Sequence, residues 1–175
     1  MEEFANKNLS DNIFMQLEVF TTGGTIDKIY FDKKSEFEVG DPVVGTLLEA
    51  MGVTFEFTVN QLMRVDSLDM TSEDRAIIFA RVSAAESSHV LITHGTDGMV
   101  DTAAKLATIQ DKTIVLTGSL QPAAFANNDA VFNIGCAVGA VQSLPPGVYV
   151  VMSGRVFTAD NVVKNRAENR FEEIS

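Results

Sequence analysis

Hydrophobic positions along the chain switch repeatedly between strand-like and helix-like spacing. Met15-Gln16-Leu17-Glu18-Val19-Phe20 alternates apolar and polar side chains, which predicts a strand with one face less buried than the other. Val53-Thr54-Phe55-Glu56-Phe57-Thr58-Val59 alternates strictly and predicts another. Val90-Leu91-Ile92, Lys112-Thr113-Ile114-Val115-Leu116-Thr117 and Val148-Tyr149-Val150-Val151-Met152 supply three more strands. Helices are predicted between them. Asp41 as N-cap and Pro42 at the first position start one that runs to about Met51 and stops at Gly52. Thr71 or Ser72 caps a helix over 73–86, with Glu73 and Asp74 at its positive end. A third runs from Val100 to about Ile109. The alanine-rich segment 130–143 predicts a fourth, apolar enough to require burial against the sheet. Residues 1–14 are polar and acidic and read as a short helix or loose arm. Asp27 to Asp32 and Ser35 to Val39 flank Lys33-Lys34 as two short strands of a hairpin or flap.

Alternating strands and helices predict an α/β fold: three α/β/α layers around a mostly parallel sheet, flavodoxin-like or Rossmann-like, with the small β-hairpin flap added. Four apolar runs end in Thr or Ser near Gly, at Thr22-Gly23, Thr93-His94-Gly95, Thr117-Gly118 and Ser153-Gly154. Right-handed crossovers bring such ends to one sheet edge, so hydroxyls and N–H groups are expected to converge on a single crevice.

Length and charge narrow the function classes. The chain has 175 residues, 46% of them hydrophobic, which suits one domain with a substantial core. A net charge of −11 opposes binding to nucleic acid or an anionic membrane and favours a small-molecule or protein partner. Cys136 has no second cysteine for a disulfide and no companions for a metal site. The N-terminus lacks a basic start followed by an apolar core, and no run approaches the roughly 18 apolar residues of a membrane span. A cytoplasmic location is therefore expected.

The chemistry concentrates in Ile92-Thr93-His94-Gly95-Thr96-Asp97-Gly98-Met99, where a strand hands over to a helix. Thr96 and Asp97 put a hydroxyl beside a carboxylate, and Gly95 and Gly98 let a ligand approach the backbone. The plain alternative is a turn whose Thr and Asp cap the next helix. Thr21-Thr22-Gly23-Gly24-Thr25-Ile26 repeats the pattern, its plain alternative being a Gly-rich turn with solvent-facing threonines. It has neither G-x-G-x-x-G nor a P-loop lysine, so phosphate or flavin binding is disfavoured. Lys164, between valines and an asparagine, is either an ordinary surface lysine or a desolvated one able to take a proton from a threonine hydroxyl.

Together these stretches, with Gly118-Ser119-Leu120-Gln121-Pro122 and Val162-Val163-Lys164-Asn165, resemble the amino-terminal domain of the bacterial asparaginase/glutaminase family. The likeness extends from Met15 to Lys164. It implies an amidohydrolase that converts L-asparagine or a related amide to L-aspartate and ammonia through a threonine acyl-enzyme, with no metal and no cofactor. By residue matching, Thr25 is similar to the nucleophilic threonine and Tyr30 to a mobile-loop tyrosine. Thr96, Asp97 and Lys164 match a proton-handling set. Ser67 resembles the serine that holds the substrate carboxylate, and Asp97 the group that meets the ammonium. Gly24, Asp66, Gly95 and Ser119 complete the implied substrate-binding set. The family habit implies a homo-oligomer, dimer or tetramer.

The sequence also departs from the family pattern. Leu68 stands where the family often has a substrate-holding Gln, Tyr30 follows Thr25 by only five residues, and the second, carboxyl-terminal domain has no counterpart. Residues 1–175 are accordingly expected to form a single asparaginase-type amino-terminal domain. The alternative function is an asparaginase-fold protein that binds a small amino acid or a protein partner without turnover.

Overall fold

The computed structural model describes residues 15–31, 36–66 and 68–174. Six strands form the main sheet in the order β4-β1-β5-β6-β7-β8, and neighbouring strands are parallel except at the β7/β8 edge. They are β1 (Gln16–Thr21), β4 (Glu56–Gln61), β5 (His89–Thr93), β6 (Thr113–Thr117), β7 (Gly147–Met152) and β8 (Arg155–Thr158). Two small antiparallel ribbons flank it, β2 (Lys28–Phe31) with β3 (Glu36–Val39) and β9 (Val163–Asn165) with β10 (Arg170–Glu172). The first is the expected flap; its Lys33-Lys34 tip lies outside the described residues, as does the expected amino-terminal arm.

Period-two geometry divides the core into two slabs. Leu17 and Val19 of β1, Leu91 of β5, Val115 of β6 and Val151 of β7 point to the side covered by α1 (Val44–Ala50) and α4 (Ala130–Ser143). Phe20, Val90, Ile92, Ile114, Leu116, Val150 and Met152 point to the other, covered by α2 (Ser72–Ser83) and α3 (Met99–Leu106). Successive strand residues face opposite ways, so a sheet sandwiched by helices needs apolar residues at consecutive positions. The strands β5 and β6 satisfy this, with every residue from Val90 to Thr93 and Thr113 to Thr117 buried. The architecture is the three-layer α/β fold expected from the alternation.

Several boundaries differ from expectation for identifiable reasons. Asp41 does not cap α1. Val43 occupies the N-cap without a side-chain bond, and its N–H donates to the Asp27 carboxylate at 3.0 Å, while Asp41 pairs with Arg64. The alternating run at 53–59 becomes strand only from Glu56, because β4 is an edge strand whose pairing with β1 starts at Gln16. Thr71 caps α2 as anticipated, in a reciprocal box with Asp74. The Ser153-Gly154 ending is a hairpin turn between β7 and β8, with φ of 52° and 78°, rather than a fourth parallel-strand exit. The strands β8, β9 and β10 were not anticipated: they are three or four residues long, too short for a core-facing period to mark them.

Candidate active site

Three of the Gly-bearing turns pack backbone against backbone at the carboxyl ends of β1, β5 and β6. The Thr22 N–H and hydroxyl both donate to the Thr93 carbonyl at 3.1 Å, and the His94 N–H donates to Thr117 at 2.9 Å. The hydroxyls of Thr22 and Thr117 are buried and spent on strand carbonyls, so these threonines tie strands together rather than line a crevice. Gly24 has φ of +90°, and a Cβ there would lie 2.4 Å from the Gly95 Cα; one on Gly118 would lie 2.3 Å from the His94 carbonyl oxygen. Glycine is thus required sterically where the turns cross. The crossing brings Gly24-Thr25 against Gly95-Thr96 in space.

Thr25 opens a short 3-10 turn, Thr25–Asp27, and is half-buried. The connection after β4 is tied to the end of β1 just before it, the Leu62 and Val65 N–H groups donating to the Thr21 and Thr22 carbonyls at 2.9 and 3.1 Å. The Ala123 N–H donates to the Ile26 carbonyl at 3.2 Å.

Lys164 reaches this rim from β9. Its amine donates to the Thr96 hydroxyl at 2.7 Å and to Asp97 Oδ1 at 2.8 Å, and its side chain is 8% exposed. The ordinary surface-lysine reading is therefore wrong for this residue. Val162, just before β9, and Phe171, paired with Lys164 across the β9/β10 ribbon, are buried and anchor the strand that delivers the amine. Thr96 is 5% exposed, while the Asp97 side chain keeps 29% and so remains open to solvent. A hydroxyl, an ammonium and a carboxylate joined by short hydrogen bonds form a path for proton movement.

The remaining expected residues are arranged less tightly. Asp66 sits at the mouth, its carboxylate accepting from the Leu68 N–H at 3.2 Å and paired with Lys28 at 2.6 Å. Ser67 lies outside the described residues. The Ser119 hydroxyl is buried and donates to the Gln121 carbonyl. Tyr30 is half-exposed on the flap, where its ring meets Phe37 edge-on at 5.4 Å, and Phe37 in turn meets Phe125 at 5.8 Å. Among the described residues no group of three or more His, Cys, Asp or Glu is placed to hold a metal ion.

Asp27, Asp129, Asn133 and Arg166 support the rim and were not singled out in the sequence. Asp129 accepts from the Leu120 and Gln121 N–H groups, and Asn133 bridges the Gly118 carbonyl and the Ser153 N–H. The sequence signals are an Asp just before an apolar helix and one Asn within it. Arg166 lies against Asp97, its Nε 3.5 Å from Oδ1 and an Nη 3.5 Å from the main-chain oxygen.

Two buried groups titrate abnormally. His94 is fully buried; its Nδ1 faces the Gly95 carbonyl at 2.7 Å and must carry the proton, leaving Nε2 to accept from the Thr102 hydroxyl at 2.8 Å. Burial lowers its pKa from 6.5 to about 4, outweighing the Gly95 carbonyl. The unfolded chain therefore binds a proton that the folded chain refuses, and stability falls as pH drops from 6.5 towards 4. Asp27 behaves oppositely: burial raises its carboxyl from 3.8 to about 6 against the Val43 N–H and Arg64, so its contribution to stability falls as pH rises between those values. The two slopes oppose each other between about pH 4 and 6. Asp27→Asn, which keeps an acceptor for Val43 without the buried charge, is expected to be more stable than the wild type at pH 7 by about 2 kcal/mol. The advantage is expected to vanish below pH 4, and the variant, lacking the opposing Asp27 slope, is expected to lose stability between pH 6.5 and 4 through His94. Urea unfolding at pH 4, 5.5 and 7 measures this, and a pH-independent difference would contradict it.

The comparisons identify the family of the fold. Residues 16–172 match the family model described as Asparaginase, N-terminal. The L-asparaginase of Thermococcus kodakarensis is 30% identical over 174 residues, an overlap covering 92% of this chain and 52% of that protein. L-asparaginase 2 of Bacillus subtilis is 29% identical over 162 residues, covering 85% of this chain and 43% of that one. The solved structure of the thermostable L-asparaginase from Thermococcus kodakarensis superposes with a TM-score of 0.79 at 27% identity, over 91% of this chain and 51% of that one. The chain spans about half the length of the curated relatives it matches. The match over 16–172 and the shared fold make this chain a member of the asparaginase family, corresponding to its amino-terminal domain.

Proposed function

We propose that the chain is an amidohydrolase that releases ammonia from L-asparagine or a closely related amide, with Thr25 as nucleophile. The observation that carries this reading is the Lys164 amine, buried and hydrogen-bonded to both Thr96 and Asp97 at the rim where Thr25 emerges. A hydroxyl attacks an amide carbon only as a base removes its proton, and the Thr96–Lys164–Asp97 set is the base available here. The Thr25 oxygen bonds to the carbonyl carbon, and the resulting oxyanion is held by backbone N–H groups of the Gly-bearing turns. Collapse breaks the C–N bond, the proton taken from Thr25 passes to the departing nitrogen, and ammonia leaves an ester on Thr25. Water, deprotonated by the same set, then cleaves the ester to the acid. In this scheme Asp97 also meets the substrate ammonium, Asp66, Ser67, Gly24, Gly95 and Ser119 shape the pocket, and Tyr30 closes over it from the flap.

The Lys164 bond to Thr96 favours a second reading in which Thr96 carries the acyl group and Thr25 orients the amide. A homo-oligomer belongs to the same proposal, because α4 turns Val131 and Phe132 outward at 40% and 60% exposure. So does a cytoplasmic location, consistent with the free thiol of Cys136. Purified chain incubated with L-asparagine is expected to liberate one ammonia per aspartate formed. Binding of aspartate by calorimetry with no ammonia released would instead support the non-hydrolytic alternative.

A further inference from the structure

One residue holds the flap by its root. Asp27 closes the Thr25–Asp27 turn and β2 starts at the next position, so what grips Asp27 grips turn and flap together. Its N–H donates to the Gly24 carbonyl at 3.2 Å. Its own carbonyl accepts from the Gly40 N–H at 2.8 Å, just past the end of β3. The side chain reaches further along the same segment, where Oδ1 accepts from the Val43 N–H at 3.0 Å as the chain enters α1. Both ends of the hairpin are therefore tied through a single side chain and its peptide. The fit is close: a Cβ on Gly40 would lie 3.2 Å from the Asp27 carbonyl oxygen and 3.3 Å from the Ile29 side chain.

The tie is made by a carboxyl group on a residue that is 2% exposed. Burial penalises its ionised form and outweighs the Val43 N–H and the Arg64 guanidinium, which favour that form. Surrounding charges do little to relieve it. Arg64 is shared with Asp41, Lys28 is turned to Asp66, and Glu38 stands on β3 opposite Ile29. The first turn of α1 has no acidic side chain, and the segment 118–128, whose Ala123 reaches Ile26, has no charged one. Lifting the flap from its root breaks the Gly40 and Val43 bonds and returns the carboxyl to water. Opening thus relieves the charge that burial penalises, so protonation favours the seated flap and ionisation the lifted one.

We propose that Asp27 is a proton-dependent clasp, seating the β2/β3 flap on the Thr25 turn when neutral and loosening it when ionised. The carboxyl changes state at about pH 6 in the seated form, so the device works between mildly acidic and neutral conditions. Because the flap carries Tyr30 and follows directly on the Thr25 turn, its seating sets access to the rim. The clasp belongs to the free protein and holds whether or not an amide is turned over. Asparagine at this position is the seated form made permanent, since it accepts the Val43 N–H without a charge; alanine is the clasp removed.

Amide hydrogen exchange of the free protein, corrected for the intrinsic rate at pH 4.5 and 7, is compared in wild type, Asp27→Asn and Asp27→Ala. Amides of β2, β3, Gly40 and Val43 report the flap root, and those of β6 report the sheet. In the wild type the flap root is expected to open about tenfold more at pH 7 than at pH 4.5. These openings are local, so low urea should speed β6 exchange and leave the flap root unchanged. At pH 7 Asp27→Asn should open about tenfold less than the wild type, with less than about a twofold response to pH, and Asp27→Ala should be fast at both pH values. Asp27→Asn carries the test by itself if Asp27→Ala does not fold. A wild-type flap root indifferent to pH, an Asp27→Asn protein that keeps the wild-type response, or flap exchange that follows β6 in urea would each overturn the clasp. None of these readings depends on ammonia release, so a wild type without amidohydrolase activity leaves the test intact.

Discussion

Thr25→Ala is expected to reduce ammonia release from L-asparagine by about 10⁴-fold, with the folded structure retained. Thr25 is half-buried and begins a 3-10 turn, so its side chain belongs to neither core slab. The turn is held by main-chain bonds, Asp27 N–H to the Gly24 carbonyl at 3.2 Å and Ala123 N–H to Ile26 at 3.2 Å, which alanine leaves in place. Stability should therefore change by no more than about 1 kcal/mol, a shift of a few degrees in Tm for a chain this size. Initial rates with a thermal melt on the same sample separate the two effects. A rate within a factor of a few of the wild type would remove Thr25 from the chemistry.

Lys164→Met should have the next largest effect, a fall in kcat of about 10³-fold with a smaller change in KM. Methionine has about the length of the lysine stem and no charge, so it removes the amine with the least change of volume at a side chain that is 8% exposed. What disappears is the group bonded to both Thr96 and Asp97. Asp97 retains Arg166 and partial exposure, so its carboxylate is not stranded in the interior, and the stability cost should stay below about 2 kcal/mol. The loss should fall on kcat more than on KM, and a kcat within a few-fold of the wild type would place the base elsewhere.

The two variants probe residues whose legibility in the sequence differed. Thr25, Thr96 and Asp97 were readable because each lies where an apolar strand run gives way to glycine, and such exits gather at one edge of a parallel sheet. The layers were readable for the same reason: runs such as Val90-Leu91-Ile92 are buried on both faces only when helices cover both. Lys164 came from the family resemblance, because a lysine between valines has the pattern of a surface residue. Its burial depends on a ribbon of two three-residue strands with too few residues to show a period. Asp27, Asn133 and Arg166 were missed because their roles are long-range. Asp27 bonds Val43, Asn133 bonds Gly118 and Ser153, and Arg166 reaches Asp97, and local spacing encodes none of these pairs. Ser153-Gly154 misled for the converse reason, since a Ser-Gly ending serves a hairpin turn as well as a parallel-strand exit.

The central claim is that a threonine at the β1 exit becomes covalently acylated during amide hydrolysis. Rapid acid quenching of the protein with L-asparagine, followed by peptide mapping in a mass spectrometer, reads this directly. An aspartyl ester on the peptide containing Thr25, absent from Thr25→Ala, is the expected result. An adduct on the peptide containing Thr96, or steady ammonia release with no adduct on either threonine, would contradict it.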